Sequence, residues 1–235
     1  MKAHVEIGET HNLELCHALL VYADGRRAFA SLHDVTKPDE GAPLLGPARP
    51  LSLAFVRELA SGLGSQAAPE ILPATVLART PEMIAWWSPA SRQIMFFGEA
   101  NAEARKLNGK LFPHPPLVFK VCGRELFVRA LEKNARPEAA TPLKIAPFWN
   151  VAGDDGRVCL GTARAPEDVS AASIAAWESC FHRSEYTHVL GAVRLTTHPG
   201  GFVGLWHSLA GKKRFPPQYL TDARETLHEF VKGEK

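Results

Sequence analysis

The sequence lacks several signals that would decide its class at once. Its 235 residues contain no apolar run near the ~20 residues that a membrane helix requires. The opening MKAHVEIGETHN has no apolar region of the kind found in signal peptides. The four cysteines form no CxxC pair. These absences predict a cytoplasmic protein without a membrane partner, in which a single placed cysteine is chemical or buried rather than disulfide-bonded.

Two common catalytic signatures and a metal-binding pattern are also missing. The stretch HPGGFVG at residues 198–204 lacks the lysine and the serine or threonine of a phosphate-binding loop. No GxSxG elbow of a serine hydrolase occurs. Cys180, His182 and His188 can be drawn as zinc ligands, but a fourth ligand and a recognised spacing are absent. We therefore expect neither a metal nor a cofactor.

The sequence also carries little net charge. With 27 Lys and Arg against 25 Asp and Glu, the formal net charge is only +2. A nucleic-acid footprint needs a wider basic face than the short run at residues 212–214. That run predicts a solvated loop, and nucleic acid is disfavoured as a partner.

The apolar runs that are present predict the first elements. Runs at residues 13–23 and 27–35 flank Asp24-Gly25, a dipeptide favoured in tight hairpin turns. After a loop rich in proline and glycine, Ser52 caps a helix that stops at Gly64. Strands are predicted at 74–80, 82–88 and 92–97.

The later elements complete an α+β pattern. Prolines at 113, 115 and 116 bar a central strand before Leu117, and a hairpin follows with Gly123 near its turn. Residues 132–146 and 198–217 read as irregular chain. A helix is predicted at 173–186, and a terminal amphipathic helix is predicted with Thr221 as its cap. Antiparallel strands in the middle with helices toward the ends indicate α+β rather than alternating βαβ.

The segment FWNVAGDDGRVCLG, residues 148–161, holds Cys159 after a turn at Asp154-Asp155. One interpretation is a β-hairpin whose second strand carries a small buried thiol. The other is a nucleophile beside a hydrogen-bond donor for an oxyanion, which the amide of Asn150 can supply. Spacing alone does not show that Asn150 points at Cys159.

Three ordered motifs make residues 70–190 resemble the core of ubiquitin-conjugating enzymes. Those enzymes carry a YPxxPPxVxF strand, then His-Pro-Asn, then a GxxCL segment with the catalytic cysteine. The matching residues here are Phe112, Pro113, Pro115, Pro116 and Phe119, then Asn150, then Gly156, Cys159 and Leu160. The layout is similar to the prokaryotic branch, and more narrowly to the PRTRC system protein B family. The His-Pro is replaced by Phe148-Trp149, so the loop is held differently.

The resemblance also directs attention to groups that assist a cysteine. Bacterial members are expected to place a histidine near it, and His182 and His188 are the candidates, with His182 slightly favoured. Asp155 is a further candidate base. Four other histidines are expected at the surface or the edge of the core: His33, His114, His207 and His228.

The resemblance implies a function and a set of partners. It implies an antiparallel β-meander flanked by helices, in which Cys159 accepts a ubiquitin-like protein as a thioester from a ThiF-type activating enzyme. An amine then receives the acyl group, with Asn150 stabilising the oxyanion. The expected neighbours are the ubiquitin-like protein, the ThiF-type enzyme and a JAB-type metalloprotease, often on plasmids.

Alternatives remain open at this level. A conjugating fold without catalysis would be a binding module for a ubiquitin-like partner, and a plasmid-maintenance factor would bind DNA through residues 212–214. An unrelated cysteine enzyme or a structural domain is the remaining class. We expect an N-terminal hairpin extension at 1–50 packed on the core, the conjugating core at 51–192, and a C-terminal extension at 193–235.

Overall fold

The computed structural model describes residues 15–23, 28–37, 42–64, 71–98, 102–161, 163–187, 190–191 and 193–233. The chain divides into two units, residues 1–70 and residues 71–235. No helix in these described ranges is both long enough and apolar enough to cross a membrane.

The first unit contains the predicted hairpin and helix. Strands His17–Ala23 (β1) and Ala28–Thr36 (β2) pair antiparallel, and the short strands Leu44–Leu45 (β3) and Arg49–Pro50 (β4) also pair with β2. The Asp24-Gly25 turn lies outside the described residues. Helix Leu53–Gly64 (α1) follows, and the Ser52 hydroxyl accepts a hydrogen bond from the Phe55 N–H at 3.1 Å. The predicted cap is therefore confirmed.

The second unit is built on two sheets. The larger sheet has the order β13-β11-β10-β9-β6-β5, and its neighbouring strands are antiparallel. The smaller sheet has the order β12-β7-β8, in which β12 runs parallel to β7. The strands are Val76–Arg79 (β5), Met83–Ser88 (β6), Ser91–Phe97 (β7), Lys110–His114 (β8), Leu117–Cys122 (β9), Glu125–Ala130 (β10), Pro142–Ile145 (β11), Glu185–Tyr186 (β12) and Asp222–Thr226 (β13). The helices are Ala102–Arg105 (α2), Ile174–Arg183 (α3), Gly201–Leu209 (α4) and Leu227–Lys232 (α5).

Proline placement agrees with the sequence interpretation. Pro113 lies in β8, which among the described strands pairs with β7 alone and so forms an edge of the smaller sheet. An edge strand tolerates a residue that donates no hydrogen bond. The central strand β9 begins at Leu117, as expected, and Gly123 takes a φ of +57° in the turn to β10.

Three element predictions were wrong. Residues 132–146 include strand β11, which starts at Pro142, a position where the missing N–H does no harm. Residues 198–217 include helix α4, because burial of Leu205 and Trp206 outweighs the weak helix propensity of its glycines. The terminal helix begins after Thr226, not Thr221. Residues 222–226 instead alternate in burial and pair with β11.

The core lies between the sheets and helices α3 and α4. Trp86 of β6 stacks on Phe119 of β9 with ring centroids 5.2 Å apart, and Phe181 of α3 meets Phe119 edge-on. His114 is also part of this core: it is 1% exposed and contacts the rings of Phe148 and Trp206. The expectation of a surface or core-edge position is therefore wrong for His114, and also for the buried His33.

Candidate functional site

Cys159 lies at the end of a short hairpin that extends the larger sheet. Val151 pairs with Val158 within the hairpin, and the Cys159 N–H donates to the Asn150 carbonyl at 2.8 Å. The hairpin also pairs with β10: the Val158 N–H donates to the Leu126 carbonyl, and Gly156 accepts from Val128, both at 2.8 Å. The sheet therefore fixes the backbone that carries Cys159.

The turn before Cys159 depends on its acidic and glycine residues. The Asp155 carboxylate accepts a hydrogen bond from the Arg157 N–H at 2.8 Å, closing an Asx-type turn. Gly156 has a φ of +82°, in the left-handed region that favours glycine. A Cβ at this position would lie 2.9 Å from the Val128 carbonyl oxygen. The close pairing of the hairpin with β10 therefore requires glycine.

Arg129 of β10 holds the same turn through hydrogen bonds to its backbone. The sequence alone did not point to this residue. Its side chain is fully buried, and Nε lies 2.5 Å from the carboxylate of Glu225 in β13. The two terminal nitrogens donate to the carbonyls of Gly153 at 3.0 Å and Asp154 at 2.6 Å. A charged residue in the apolar run ELFVRA was a usable signal for a buried ion pair. The partner was not predictable, because 96 residues separate it from Arg129.

The thiol of Cys159 is exposed and borders a cavity of about 540 Å³. Asp155 lines the same cavity, so the structure brings these two predicted site residues together. The remaining walls combine charged and apolar residues, among them Arg124, Asp154, Arg157, Leu126, Leu160 and Leu190. The thiol is thus accessible on an ordered segment, unlike the small buried thiol of the first interpretation.

Asn150 is joined to Cys159 by its backbone, and its side chain has another partner. The side chain is buried, and Nδ2 donates to the Ser184 hydroxyl at 2.7 Å. Ser184 in turn donates to the Phe181 carbonyl at the end of α3. The Oδ1 atom of Asn150 has no hydrogen-bond partner in the described ranges. Asn150 therefore couples the cysteine hairpin to α3.

Aromatic packing holds the segment that replaces His-Pro. Phe148 stacks on Tyr186 of β12 at 5.9 Å between ring centroids, and Trp149 stacks on Phe202 of α4 at 4.5 Å. The Trp149 carbonyl accepts from the Leu190 N–H, which brings Leu190 beside the cysteine cavity. The loop before Asn150 is therefore fixed by side chains from two distant elements.

His182 lies away from the cavity of Cys159. It lines a different cavity, of about 760 Å³, with Ile94, Phe96 and Glu178 among its walls. Burial lowers the pKa of His182 to about 4, so the ring is neutral at pH 7. Its ring centroid is 5.4 Å from that of His114, whose pKa burial and the charge of His182 also lower. His188 lies outside the described residues.

The other three cysteines, all among the described residues, do not line the Cys159 cavity. Cys180 is partly buried, its thiol lies 3.6 Å from the Arg164 carbonyl, and burial raises its pKa. Cys16 and Cys122 are exposed like Cys159 but do not line its cavity. Within the described ranges, no group of three or more His, Cys, Asp or Glu side chains is arranged to hold a metal ion.

Comparisons with known proteins identify the family. The model of prokaryotic E2 family D matches residues 53–223, well over half of the chain. The match runs from the first residue of α1 into β13 and includes the whole Cys159 hairpin. A search of the curated proteins and a search of the solved structures each found no match. The chain belongs to prokaryotic E2 family D, a ubiquitin-conjugating-like family, and its mixed α+β architecture of antiparallel sheets with few helices is that of an E2-like fold.

Proposed function

We propose that this protein accepts a ubiquitin-like protein on Cys159 as a thioester and transfers it to an amine. The observation that carries the proposal is the exposed Cys159 thiol on a hydrogen-bonded hairpin in a chain of an E2-like family. An E2-like family implies a ubiquitin-like protein and an activating enzyme as partners in general. That the activating enzyme is of the ThiF type is part of the proposal.

The proposed chemistry has two balanced steps. In the first, the Cys159 thiolate attacks the thioester carbonyl of the charged activating enzyme. A new C–S bond forms, the old C–S bond breaks, and the proton of the Cys159 thiol passes to the departing thiolate. In the second step, an amine attacks the Cys159 thioester, an amide forms, and Cys159 leaves as a thiolate. The amine proton passes to a base or to the departing thiolate.

Asp155 is the candidate base with the best support. Its carboxylate lines the cavity of Cys159, where an incoming amine would meet the thioester. His182 is less suited to this role, because it lines another cavity. His188 keeps its role as a candidate from the sequence.

Asn150 would stabilise the oxyanion in the same proposal. Its amide must first turn away from Ser184, which breaks one hydrogen bond, worth about 1 kcal/mol. The buried Oδ1 atom has no partner to lose among the described residues. A donor placed at an oxyanion typically contributes about 10²–10³ in rate, so the rearrangement costs less than it contributes.

The wider setting of the protein also belongs to the proposal. A JAB-type metalloprotease as a further partner, a plasmid-borne PRTRC system and a cytoplasmic location follow from the sequence resemblance alone.

The experiment combines the protein with its neighbouring ubiquitin-like protein, the activating enzyme and ATP, and reads intact mass with and without thiol reductant. Wild type should gain the mass of the ubiquitin-like protein, and reductant should remove it, because a thioester exchanges with thiols. Cys159→Ser should form no adduct, or an oxyester that reductant leaves intact. Cys122→Ser, which removes another exposed thiol, should behave as wild type.

A binding module without catalysis is the second candidate, and the engaged amide of Asn150 favours it. In that case wild type would form no adduct although the activating enzyme is charged. Cys159→Ser would then bind the ubiquitin-like protein as tightly as wild type in a calorimetric titration and would retain biological function.

A further inference from the structure

Four separate segments of the second unit meet around a cavity of about 650 Å³. They are residues 90–92 before and at the start of β7, residues 113–116 at the end of β8 and in the turn to β9, Glu132 and Asn134 after β10, and residues 213–215 after α4. This volume lies within the range of about 300–1,000 Å³ that is usual for small-molecule sites. Among the residues that the structure describes, none lines both this cavity and the cavity of Cys159.

Three cationic side chains line this cavity: Arg92, Lys213 and Arg214. In the part of the chain that the structure describes, no acidic side chain forms an ion pair with any of them. The acidic residue on the wall, Glu132, lies 3.6 Å from the ammonium group of Lys144. The run at residues 212–214 was predicted to be a solvated loop. Two of its residues, Lys213 and Arg214, instead lie beside Arg92 at one concave site.

The rest of the wall is rigid and offers a hydrogen-bond donor. Pro113, Pro115 and Pro116 are buried, and their fixed φ angles leave this part of the wall little freedom. The Oδ1 atom of Asn134 accepts a hydrogen bond from the Ala90 N–H at 2.8 Å, which sets the orientation of the amide. Because Oδ1 already accepts this hydrogen bond, the NH₂ group of Asn134 is left to donate a hydrogen bond to a ligand.

We propose that this cavity binds a small ligand that carries several phosphate groups, such as a nucleotide or an inositol phosphate. Two guanidinium groups and an ammonium group around one concavity match phosphate oxygens, which arginine binds in bidentate fashion. A nucleic-acid site would need cations spread along an open face, whereas these are gathered around one pocket. The proposal does not depend on the chemistry at Cys159.

Calorimetric titration of the full chain with pyrophosphate, ATP and inositol hexakisphosphate tests the proposal. We expect at least one probe to bind with a Kd in the range of about 1–100 μM at 150 mM salt. The triple variant Arg92→Gln/Lys213→Gln/Arg214→Gln should weaken binding by about 100-fold or more, because each charged hydrogen bond contributes roughly tenfold. The ranking of the probes separates plain phosphate chemistry from recognition of a nucleoside or an inositol ring.

Two further variants make the test specific to the cavity. Arg105→Gln/Lys110→Gln/Arg164→Gln removes the same net charge at exposed positions outside the cavity and should change the Kd by less than about twofold. Asn134→Asp keeps the acceptor for the Ala90 N–H but places a carboxylate in the cavity, so binding should weaken about tenfold or more.

Three outcomes would overturn the proposal. The first is a wild-type protein that binds none of the probes at about 1 mM. The second is an equal loss of affinity in the two triple variants, which would indicate a general response to net charge. The third is tighter binding of a short DNA duplex than of any small probe, with a loss in the cavity variant, which would assign the cations to nucleic acid.

Discussion

Gly156 combines an unusual backbone angle with a close neighbour. Its φ is +82°, and a Cβ would lie 2.9 Å from the Val128 carbonyl oxygen. We predict that Gly156→Ala lowers the free energy of unfolding by about 3 kcal/mol, because backbone strain and a backbone clash both contribute. Urea unfolding followed by tryptophan fluorescence measures this effect in the second unit, since the five tryptophans lie at residues 86, 87, 149, 177 and 206.

Gly123→Ala is the matched control for Gly156→Ala. Gly123 also has a positive φ, +57°, but a Cβ there would meet no atom of the described residues within 4 Å. Its cost should be about 1 kcal/mol, from backbone strain alone. Equal costs at the two glycines would mean that the hairpin can move away from β10, and the close approach would then not explain the choice of glycine.

The residues of the candidate site differ in how far the sequence reveals them. The position of Cys159 on a hairpin was predictable, because the turn residues and the pairing of 151 with 158 are local in sequence. The side-chain partner of Asn150 was not, since Ser184 is 34 residues away and belongs to the end of α3. The same limit applied to His114, whose burial depends on aromatic rings from three other segments.

At the scale of elements, the Arg129–Glu225 pair joins β10, β13 and the cysteine hairpin. We predict that Arg129→Met lowers the free energy of unfolding by about 3–5 kcal/mol, because it leaves the Glu225 carboxylate buried without its cation. The carbonyls of Gly153 and Asp154 lose their donors as well. The same tryptophan fluorescence measurement gives the stability. The rate of Cys159 alkylation in the folded protein reports whether the hairpin has loosened.

Two comparisons isolate the role of the buried charge. Arg129→Met/Glu225→Leu removes both partners and should recover part of the stability that the single variant loses. Arg124→Met changes an exposed arginine beside the Cys159 cavity and should stay within about 0.5 kcal/mol of wild type. If Arg129→Met were as stable as Arg124→Met, the buried pair would not be what holds the turn.

Helix and strand assignments failed where the tertiary structure overrides local signals. Glycines at 200, 201 and 204 argued against helix α4, yet a Cβ at Gly200 would lie 3.1 Å from the Cα of Gly204, so a residue without a side chain suits the start of this helix. In the last element, Thr226 caps α5 through a reciprocal arrangement with Glu229. Residues 222–226, which end at this cap, pair with strand β11. The local sequence does not reveal that β11 is their partner. The α+β class survived these errors, because it depends on the strand-rich middle rather than on the C-terminal elements.

At the scale of the whole molecule, the buried histidines predict how stability depends on pH. The pKa of His182 falls from its ordinary value near 6.5 to about 4 in the folded chain, so between these values only the unfolded chain takes up the proton. The contribution of His182 to stability should therefore be nearly constant above about pH 7.5 and should fall by about 2 kcal/mol between pH 7.5 and 5. His114 acts in the same direction.

Urea unfolding of wild type and His182→Asn at pH 7.5, 6.5 and 5 measures the contribution of His182. Asparagine does not titrate in this range, so the variant should lose markedly less stability on acidification than wild type, whatever its stability at pH 7.5. The groups that share the surroundings of His182 are His114, Glu178 and Arg183, and none of them is changed by the substitution. His228→Gln alters an exposed histidine on α5 and should retain the wild-type pH profile.

A His182→Asn profile parallel to that of wild type would contradict this prediction. It would mean that His182 takes up its proton in the folded protein with its ordinary pKa, near 6.5. The ring would then have to be open to solvent rather than buried.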